Sequence, residues 1–291
     1  MLHKRDIRRS FNKAARHYDE VAVLQRLVAD EMLERLDVVK PVFSSILDAG
    51  CGTGYALNKL AQRYPKARVI ALDMADDMLR YSRTRQRSAL SLVNPWAKTP
   101  LYLCSDLERL ALDSNSVDLI YSNLTLQWCN DIGKVFQEWV RVLKPGGMLL
   151  FSSLGPDTLF ELRECWKAVD GGEHVHSFMD MHHVGDALLE AGFAEPVMDV
   201  NRYTLTYSGV MELMRDLKTL GAVNALETKN KTLTGKRRIQ QLAQHYEQYR
   251  QDQRLPASYE VVFGHAWKSE SQRGEVQVSL SGLTRPHPHG N

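Results

Sequence analysis

The chain has 291 residues, of which 44% are hydrophobic and 25% charged, and its formal net charge is +2. This composition is typical of a globular protein with one full domain and a smaller appendage. The small net charge gives no indication of a nucleic-acid partner, and no apolar run approaches the roughly 18–20 residues of a membrane-spanning helix. Cys51, Cys104, Cys129 and Cys165 lack metal-ligand or redox spacing, which is typical of thiols in a reducing compartment, and we expect a cytoplasmic protein.

The first forty residues have the apolar periodicity of helices. Apolar residues from Leu24 to Leu36 recur at three- and four-residue steps, and Pro41 ends the segment. The start of the chain is rich in Arg and Lys, as mitochondrial presequences are, but acidic residues such as Asp6 and Asp19 break that pattern. We expect residues 1–40 to form an N-terminal helical cap.

Short β-prone segments then alternate with helical segments. The predicted strands are Val42–Gly50, Ala67–Asp73, Pro100–Asp106, Ser116–Asn123 and Met148–Leu154, and the predicted helices are Tyr55–Tyr64, 75–86 and Ile132–Leu143, the last closed by a turn at Lys144–Gly147. Alternation of this kind predicts a mostly parallel sheet covered by helices on both faces. We therefore expect an α/β fold, a doubly wound Rossmann-like sheet.

The remainder of the chain is less regular. We predict a helix that ends at Gly192, a sixth strand at Pro196–Tyr207, two helices joined by the polar loop Asn224–Thr234, and a late strand at Ala257–Lys268. Residues 41–268 would form one domain with a helical lid insert at about 208–253. The polar tail 269–291 has no periodicity and is predicted to be disordered.

A glycine-rich turn, "LDAGCGTGYALNKLA", joins the first predicted strand to the following helix. Its glycines, Gly50, Gly52 and Gly54, allow a tight bend and close approach of a ligand to the backbone. The spacing G-x-G-x-G differs from the G-x-G-x-x-G of dinucleotide pyrophosphate sites. Asp48 precedes the first glycine, where a carboxylate disfavours an anion and favours an amino group or a sulfonium. The turn therefore favours S-adenosylmethionine as the ligand.

Acidic and amide side chains follow the next three predicted strands. Asp73 could accept the ribose hydroxyls, which alone would also fit NAD, and Asp106 could accept the adenine amino group, with the backbone of Leu107 against the ring. The segment "SNLTLQW" after the fourth strand would lie below the methionine moiety. Each residue alone also fits a turn or a loop cap, but together they favour one cofactor site. The predicted cofactor-binding residues of these strand ends are Asp73, Met74, Asp106, Leu107, Asn123 and Gln127.

The motifs "LDAGCGTG", "ALD", "CSDLE", "SNLTLQW" and "VLKPGGMLLFSS" resemble those of the class I S-adenosylmethionine-dependent methyltransferases. The resemblance covers roughly residues 42–153. It implies a seven-stranded sheet whose last strand is antiparallel, a place that Ala257–Lys268 would fill. It also implies S-adenosylmethionine as methyl donor and a reaction that needs no metal.

A narrower resemblance spans nearly the whole chain. "IRRSFNKAARHYDEVAVLQ", "SSLGPDTLFELRECW", "MRDLKTLGAVNAL" and "YEVVFGHAWK" are similar to the malonyl-acyl-carrier-protein O-methyltransferases of biotin synthesis. That family methylates the free carboxylate of malonyl-acyl carrier protein or malonyl-CoA, which gives the methyl ester that starts pimeloyl synthesis.

Three alternatives stay open at this point. The same stretches resemble a mitochondrial arginine hydroxylase that assists assembly of respiratory complex I, although the shared motif begins almost at residue 1 here, which favours the bacterial enzyme. The chain could instead methylate another small acid or a quinone precursor. It could also be a cofactor-binding module without catalysis.

A carboxylate is ionised at pH 7, so its methylation needs a positioning group and no general base. Arg215 and Lys218 in the predicted lid, with Arg202 near the sixth strand, could bind the carboxylate. Arg215 and Lys218 lie one helical turn apart, a spacing that also suits a solvated face. Tyr18, in "HYD", could close over the cofactor and donate a hydroxyl. We therefore predict Tyr18 and Arg215 as the substrate-positioning residues.

An acyl carrier protein is an acidic partner and would bind to a basic surface. The candidates are Arg5, Arg8, Arg9, Lys236, Arg237 and Arg238. We predict surface or packing roles, rather than metal binding, for the four histidines His174, His176, His182 and His183.

Overall fold

The computed structural model describes residues 2–93, 99–172, 174–222 and 235–269. Its helices are α1 (Lys4–Ala14), α2 (Tyr18–Val21), α3 (Val23–Arg35), α4 (Tyr55–Arg63), α5 (Asp76–Val93), α6 (Ile132–Val142), α7 (Phe160–Asp170), α8 (Met181–Glu190), α9 (Val210–Thr219) and α10 (Lys236–Tyr246). Its strands are β1 (Ser45–Ala49), β2 (Arg68–Asp73), β3 (Leu101–Cys104), β4 (Val117–Ser122), β5 (Leu143–Leu154), β6 (Phe193–Tyr207) and β7 (Leu255–Lys268). The loop predicted at Asn224–Thr234 and the tail beyond residue 269 lie outside the described residues.

The seven strands form one sheet in the order β3-β2-β1-β4-β5-β7-β6. The pairs from β3 to β5 are parallel, whereas β7 pairs antiparallel with both β5 and β6. The prediction of a doubly wound sheet with an antiparallel last strand is confirmed. The strand order reverses between β1 and β4, and ligands of such sheets bind beside that point, at the carboxyl ends of the strands.

Apolar side chains cover both faces of the sheet, as the near-continuous hydrophobic strands β1 and β4 require. One face packs against α3, α7, α9 and α10, and its fully buried residues include Met32 and Tyr246. The other face packs against α6 and α8, with Trp139 and Leu188 completely buried. The edge strand β6 alternates between partly buried and exposed residues instead. No described helix is long and apolar enough to span a membrane.

The N-terminal segment forms three helices, α1 to α3, in agreement with its predicted helical character. Helix α3 buries Leu24, Val28 and Met32. Helix α1 buries Ile7 and packs beside α5. The N-terminal helices therefore lie against the part of the sheet that carries the glycine-rich turn.

Several elements have shifted ends, such as α5, which runs to Val93 rather than to residue 86, and two further differences concern the kind of element. Strand β5 begins at Leu143, directly after α6, because Leu143 already pairs with Val117 of β4. The predicted turn at Lys144–Gly147 is therefore part of that strand, and Gly146 takes a left-handed φ of 72° there. Helix α7 was not anticipated, although it buries Leu162, Cys165 and Trp166 at helical spacing.

Candidate active site

A small cavity of about 80 Å³ lies at the carboxyl ends of β1, β2, β3 and β4. Most of the predicted cofactor residues meet there, although they come from four separate strand ends. The predicted residues in its wall are Tyr18, Gly50, Gly52, Asp73, Met74, Asp106, Leu107 and Asn123. Residues that the sequence did not single out complete the wall, among them Lys4, Phe11, Thr125, Trp128 and Cys129.

The glycine-rich turn is fixed by backbone hydrogen bonds to β2. The amides of Gly50 and Cys51 both donate to the carbonyl of Leu72, at 2.8 and 2.9 Å. At Gly50, with φ of 83°, a Cβ atom would lie only 2.4 Å from Thr125. At Gly52, with φ of 52°, a Cβ atom would meet nothing within 4 Å. The backbone at Gly52 is therefore open to a ligand, and only glycine suits the crowded position at Gly50.

Asp73 ties this turn to the end of β2. One carboxylate oxygen, Oδ2, accepts from the amide of Gly52 at 2.9 Å, and Oδ1 accepts from the amide of Ala75 at 2.8 Å. Burial raises the pKa of Asp73 to about 6, against the lowering effect of these backbone bonds. Each carboxylate oxygen has a second lone pair, so the group can still accept a hydroxyl from a ligand in the cavity.

Asp48 lies behind the glycine-rich turn and is absent from the walls of the described cavities. It is only 2% exposed, and its Oδ2 atom has no hydrogen-bond partner in the described part of the chain. Burial, and secondly the charge of Asp73, raise the pKa of Asp48 to about 8. A buried acid of this kind favours a cation nearby, because a positive charge would stabilise its ionised form.

Asp106 is paired with the N-terminal helix. The ammonium Nζ of Lys4 lies 2.5 Å from Asp106 and 2.8 Å from Glu108. The amide of Glu108 donates to the other oxygen of Asp106 at 3.0 Å. This ion pair joins α1 to the turn after β3, at the end of the cavity where the sequence predicts the adenine ring.

Tyr18 reaches the site because Asp19, the next residue, fixes α2 to the glycine-rich turn. Asp19 accepts from Thr53 Oγ1 at 2.6 Å and from Arg85 at 2.5 Å. Burial, with secondary effects of Asp73 and Asp19, raises the pKa of Tyr18 above its usual value. Its hydroxyl therefore stays protonated at neutral pH and can donate a hydrogen bond.

A second cavity of about 910 Å³ adjoins the first, and Phe11, Tyr18, Leu124 and Trp128 line both. Its wall is mainly apolar and includes Leu162, Trp166, Leu205, Met214 and Leu217. The four shared residues mark the junction at which ligands of the two cavities would meet.

Gln127 lies in the wall of the larger cavity rather than the smaller one. Its Nε2 donates to the carbonyl of Leu124 at 2.7 Å, which leaves the buried Oε1 atom without a partner among the described residues. Gly54 lines neither cavity and instead caps the start of α4, close to Ser82. Gln127 thus carries an unpartnered acceptor beside the larger cavity, and Gly54 shapes the turn.

The cationic candidates are separated by the structure. Arg215 and Lys218 line the larger cavity, and neither makes an ion pair within the described ranges. Arg238 also lines it and lies 3.4 Å from Asp170. Arg202 lies outside the walls of both cavities, with 74% of its side chain exposed, and pairs with Asp157. Of these four candidates, Arg215 and Lys218 combine a place in the cavity wall with the absence of an ion pair to any described residue.

The four histidines have different surroundings. His174 stacks on Trp166 with ring centroids 3.9 Å apart and bonds to Asp170, and His176 packs edge-on against Phe178. His182 and His183 are exposed on α8. Among the residues with a described placement, no group of three or more His, Cys, Asp or Glu side chains is arranged to hold a metal ion.

Replacing Asp48 by Asn should stabilise the protein in a pH-dependent way. The folded-state pKa of Asp48, about 8, exceeds the value of about 3.9 for an unfolded chain, so the native state binds more protons between these limits. Its contribution to the free energy of unfolding therefore falls as the pH rises from 4 to 8. We expect Asp48→Asn to raise Tm by at least about 4 °C at pH 8 and by less at pH 5.5.

Scanning calorimetry at the two pH values measures this difference. Asp77→Asn is the matched control, because it removes a carboxylate that is 46% exposed, and it should change Tm little at either pH. An equal gain for Asp48→Asn at both values would contradict the assignment.

The chain matches two family models, a methyltransferase domain over residues 47–151 and an O-methyltransferase domain over residues 4–89. The malonyl-acyl-carrier-protein O-methyltransferase of Laribacter hongkongensis is 47% identical, with 98% of this chain and 96% of that protein aligned. The enzyme of the same name from Gallionella capsiferriformans is 48% identical, with 92% of each aligned.

The fold is similar to that of Haemonchus contortus phosphoethanolamine N-methyltransferase 2, solved with S-adenosylhomocysteine. The TM-score is 0.52 at 17% identity, and the match covers 89% of this chain and 57% of that one. This likeness concerns the fold, whereas the sequence relatives match at 47–48% identity over nearly the full length. The chain belongs to the malonyl-acyl-carrier-protein O-methyltransferase family.

Proposed function

We propose that the protein transfers a methyl group from S-adenosylmethionine to the free carboxylate of malonyl-acyl carrier protein, the methylation that starts pimeloyl synthesis for biotin. The observation that carries the proposal is the junction of two cavities, one lined by the glycine-rich turn and strand-end acids, the other apolar with unpaired cations. The names of relatives at 47–48% identity support the substrate and favour methyl transfer over the hydroxylase alternative.

The smaller cavity is the proposed site of the methyl donor. Asp73 would accept the ribose hydroxyls, Asp106 and the backbone of Leu107 would meet the adenine, and the open backbone at Gly52 would approach the amino-acid part. Asp48 would act through its charge, and Gly54 would act as part of the turn. The remaining predicted contacts are Gly50, Met74, Asn123 and Gln127. The unpartnered oxygens of Asp48 and Gln127 support a ligand that brings a positive charge and hydrogen-bond donors. When bound, the donor supplies an electrophilic methyl group on a sulfonium.

The larger cavity is the proposed site of the malonyl thioester and its pantetheine arm. Its apolar wall suits a long uncharged arm and excludes water from the junction. Arg215 would bind the negative charge of the substrate, with Lys218 beside it, and the protonated hydroxyl of Tyr18 would hold the reacting group at the junction. These residues position the substrate, and none is required as a base.

The reaction neutralises charge. The substrate carboxylate, already ionised at neutral pH, would donate an electron pair to the methyl carbon as the carbon–sulfur bond breaks, leaving an uncharged ester and a thioether. An anion and a cation are consumed together, so a site of low polarity favours the transition state over the separated ions. In-line placement at about 3–3.5 Å is then the main requirement on the protein.

The carrier protein is proposed to bind at a basic surface that includes α10. Lys236 and Arg237 are exposed at the start of this helix, next to Arg238 in the cavity wall. Helices α9 and α10 would form the lid and residues 1–40 the cap of a domain extending from residue 41 to 268. The four thiols are free, which supports a cytoplasmic location.

Mass spectrometry of malonyl-acyl carrier protein after incubation with the protein and S-adenosylmethionine tests the function directly. We expect the carrier-bound acyl group to gain the mass of one methylene, and carrier loaded with an acetyl group, which has no free carboxylate, to gain none. Absence of the gain, with cofactor binding intact by calorimetry, would refute the proposed substrate.

Arg215 is tested by steady-state kinetics with two substrates. Arg215→Gln should raise KM about tenfold for both malonyl-carrier protein and malonyl-CoA, because it loses a charge-assisted hydrogen bond to the part that they share. Arg202→Gln removes an arginine outside both cavities and should leave KM unchanged. Equal values for wild type and Arg215→Gln would remove Arg215 from the site.

The basic surface of α10 is tested by the same comparison. Lys236→Glu combined with Arg237→Glu should raise KM for malonyl-carrier protein several-fold and spare malonyl-CoA, because only the carrier presents an acidic protein surface. Arg238 is left intact, since it lines the cavity and pairs with Asp170. Equal effects on the two substrates would argue against carrier docking at α10.

A further inference from the structure

Helix α1 forms one side of the smaller cavity. Lys4 and Phe11 line that cavity, and Ile7, on the same face of the helix, is buried with 2% exposure. The ring of Phe11 packs edge-on against Trp128, with centroids 5.2 Å apart. The inner face of α1 therefore covers the proposed cofactor site.

Polar contacts at the surface hold α1 in this place. Besides the ion pair from Lys4 to Asp106, Arg8 and Asn12 donate to Asp76 at 3.1 and 3.2 Å. Exposed ion pairs contribute little free energy, and an isolated helix of 11 residues is marginal in water. The docked position of α1 thus depends on the apolar contacts of its inner face together with a few weak polar anchors.

The position of α1 over the smaller cavity indicates that the helix moves when a ligand is exchanged on this side. Lys4 and Phe11 of α1 line that cavity, whose volume of about 80 Å³ adjoins the larger cavity at the four residues that both share. A cofactor lying beneath α1 therefore reaches solvent on this side only when the helix shifts outward. The anchors at Lys4, Arg8 and Asn12 are the contacts that would open.

The outer face of α1 carries a cationic stripe, which we define as Arg5, Arg9 and Lys13. These residues are exposed and recur every four positions, so they follow one line along the helix. None makes an ion pair or a side-chain hydrogen bond with another described residue. Like charges at this spacing destabilise a helix, whereas an acidic partner lying along the stripe would stabilise it.

We propose that an acidic acyl carrier protein docks on the cationic stripe and thereby holds α1 closed over the bound cofactor, so that carrier docking and cofactor retention are coupled. This inference rests on the proposed function, which supplies the partner. The charge of the stripe is complementary to that of the carrier, and its opposite face covers the cofactor site. Coupling between two sites is reciprocal, so cofactor binding also favours carrier docking.

The test uses a variant in which α1 opens more often, Lys4→Met. If a ligand binds only the closed form, its apparent Kd equals the intrinsic Kd divided by the fraction of molecules that are closed. Lys4→Met should therefore weaken binding of S-adenosylhomocysteine, and saturating carrier protein without a malonyl group should restore it. Loss of a direct contact from Lys4 to the ligand would instead weaken binding equally with and without carrier.

Calorimetric titration of S-adenosylhomocysteine gives the ratio of Kd without carrier to Kd with carrier. We expect a ratio of at least about five for Lys4→Met, and a smaller ratio for wild type. Adding Arg5→Gln, Arg9→Gln and Lys13→Gln to Lys4→Met should bring the ratio to about one. The matched control adds Lys40→Gln, Lys66→Gln and Arg68→Gln to Lys4→Met. These substitutions remove three exposed cations near the amino end of β2, so the ratio should stay at least about five.

Three results would overturn the proposal. These are a ratio of one in Lys4→Met, an unchanged Kd for Lys4→Met without carrier, and a ratio that survives removal of the cationic stripe. Circular dichroism verifies that each variant is folded, and wild type with and without high salt gives a second measure of the same coupling. Because the titration contains no malonyl group, its failure is distinct from failure of the methyl-transfer assay.

Discussion

The hydrogen bond from the amide of Gly52 to the carboxylate of Asp73 joins the two strand ends on which the site depends. It holds the glycine-rich turn against β2, beside the reversal of strand order between β1 and β4. Asp73 is partly buried and carries a raised pKa, so its charge is costly in this place and has to be stabilised by backbone donors. The glycine-rich turn supplies one of those donors, the amide of Gly52, and the same hydrogen bond keeps the turn open toward the cavity. The same carboxylate therefore holds the turn in place and is the proposed acceptor for the ligand.

A second buried acid lies next to the first. Asp48 has no compensating hydrogen bond at Oδ2, and its high pKa reflects both burial and the charge of Asp73. Two acids this close together are unfavourable in an isolated protein, but they suit a ligand that brings a sulfonium and an ammonium group. The proposed chemistry fits this arrangement, because the acids would attract the positively charged methyl donor and would hold its uncharged thioether product less tightly.

The sequence was sufficient to predict the sheet and to name many of the residues that the structure brings together around the smaller cavity. The reason is local: glycine spacing, strand ends and acidic residues are signals within a few positions of each other, and the topology of a doubly wound sheet brings the strand ends together. Contacts between distant segments carried no such signal. The pair Lys4–Asp106 spans 102 residues and the bond from Thr53 to Asp19 spans 34, and neither partner is unusual in its own sequence context.

Helix α7 illustrates a different limit. It begins directly after Leu159, which takes a left-handed φ of 54°, and no side-chain cap marks its start. The apolar spacing of Leu162, Cys165 and Trp166 was a signal for a helix, but the preceding residues did not show where it would begin. The sequence also did not indicate which arginine would line the larger cavity. Whether Arg202 or Arg215 does so depends on how β6 and α9 pack.

The place of β7 in the sheet has a consequence for the order in which the chain can fold. This last strand lies between β5 and β6. It pairs with β6 along nearly its whole length and with β5 from Val261 to Trp267. Until residues 255–268 have been synthesised, β6 has no partner strand and one side of β5 is an open edge. Tyr259 of β7 also lines the larger cavity. The five strands β1 to β5 can therefore pair before β7 is made, whereas the larger cavity is completed only when β7 has joined the sheet.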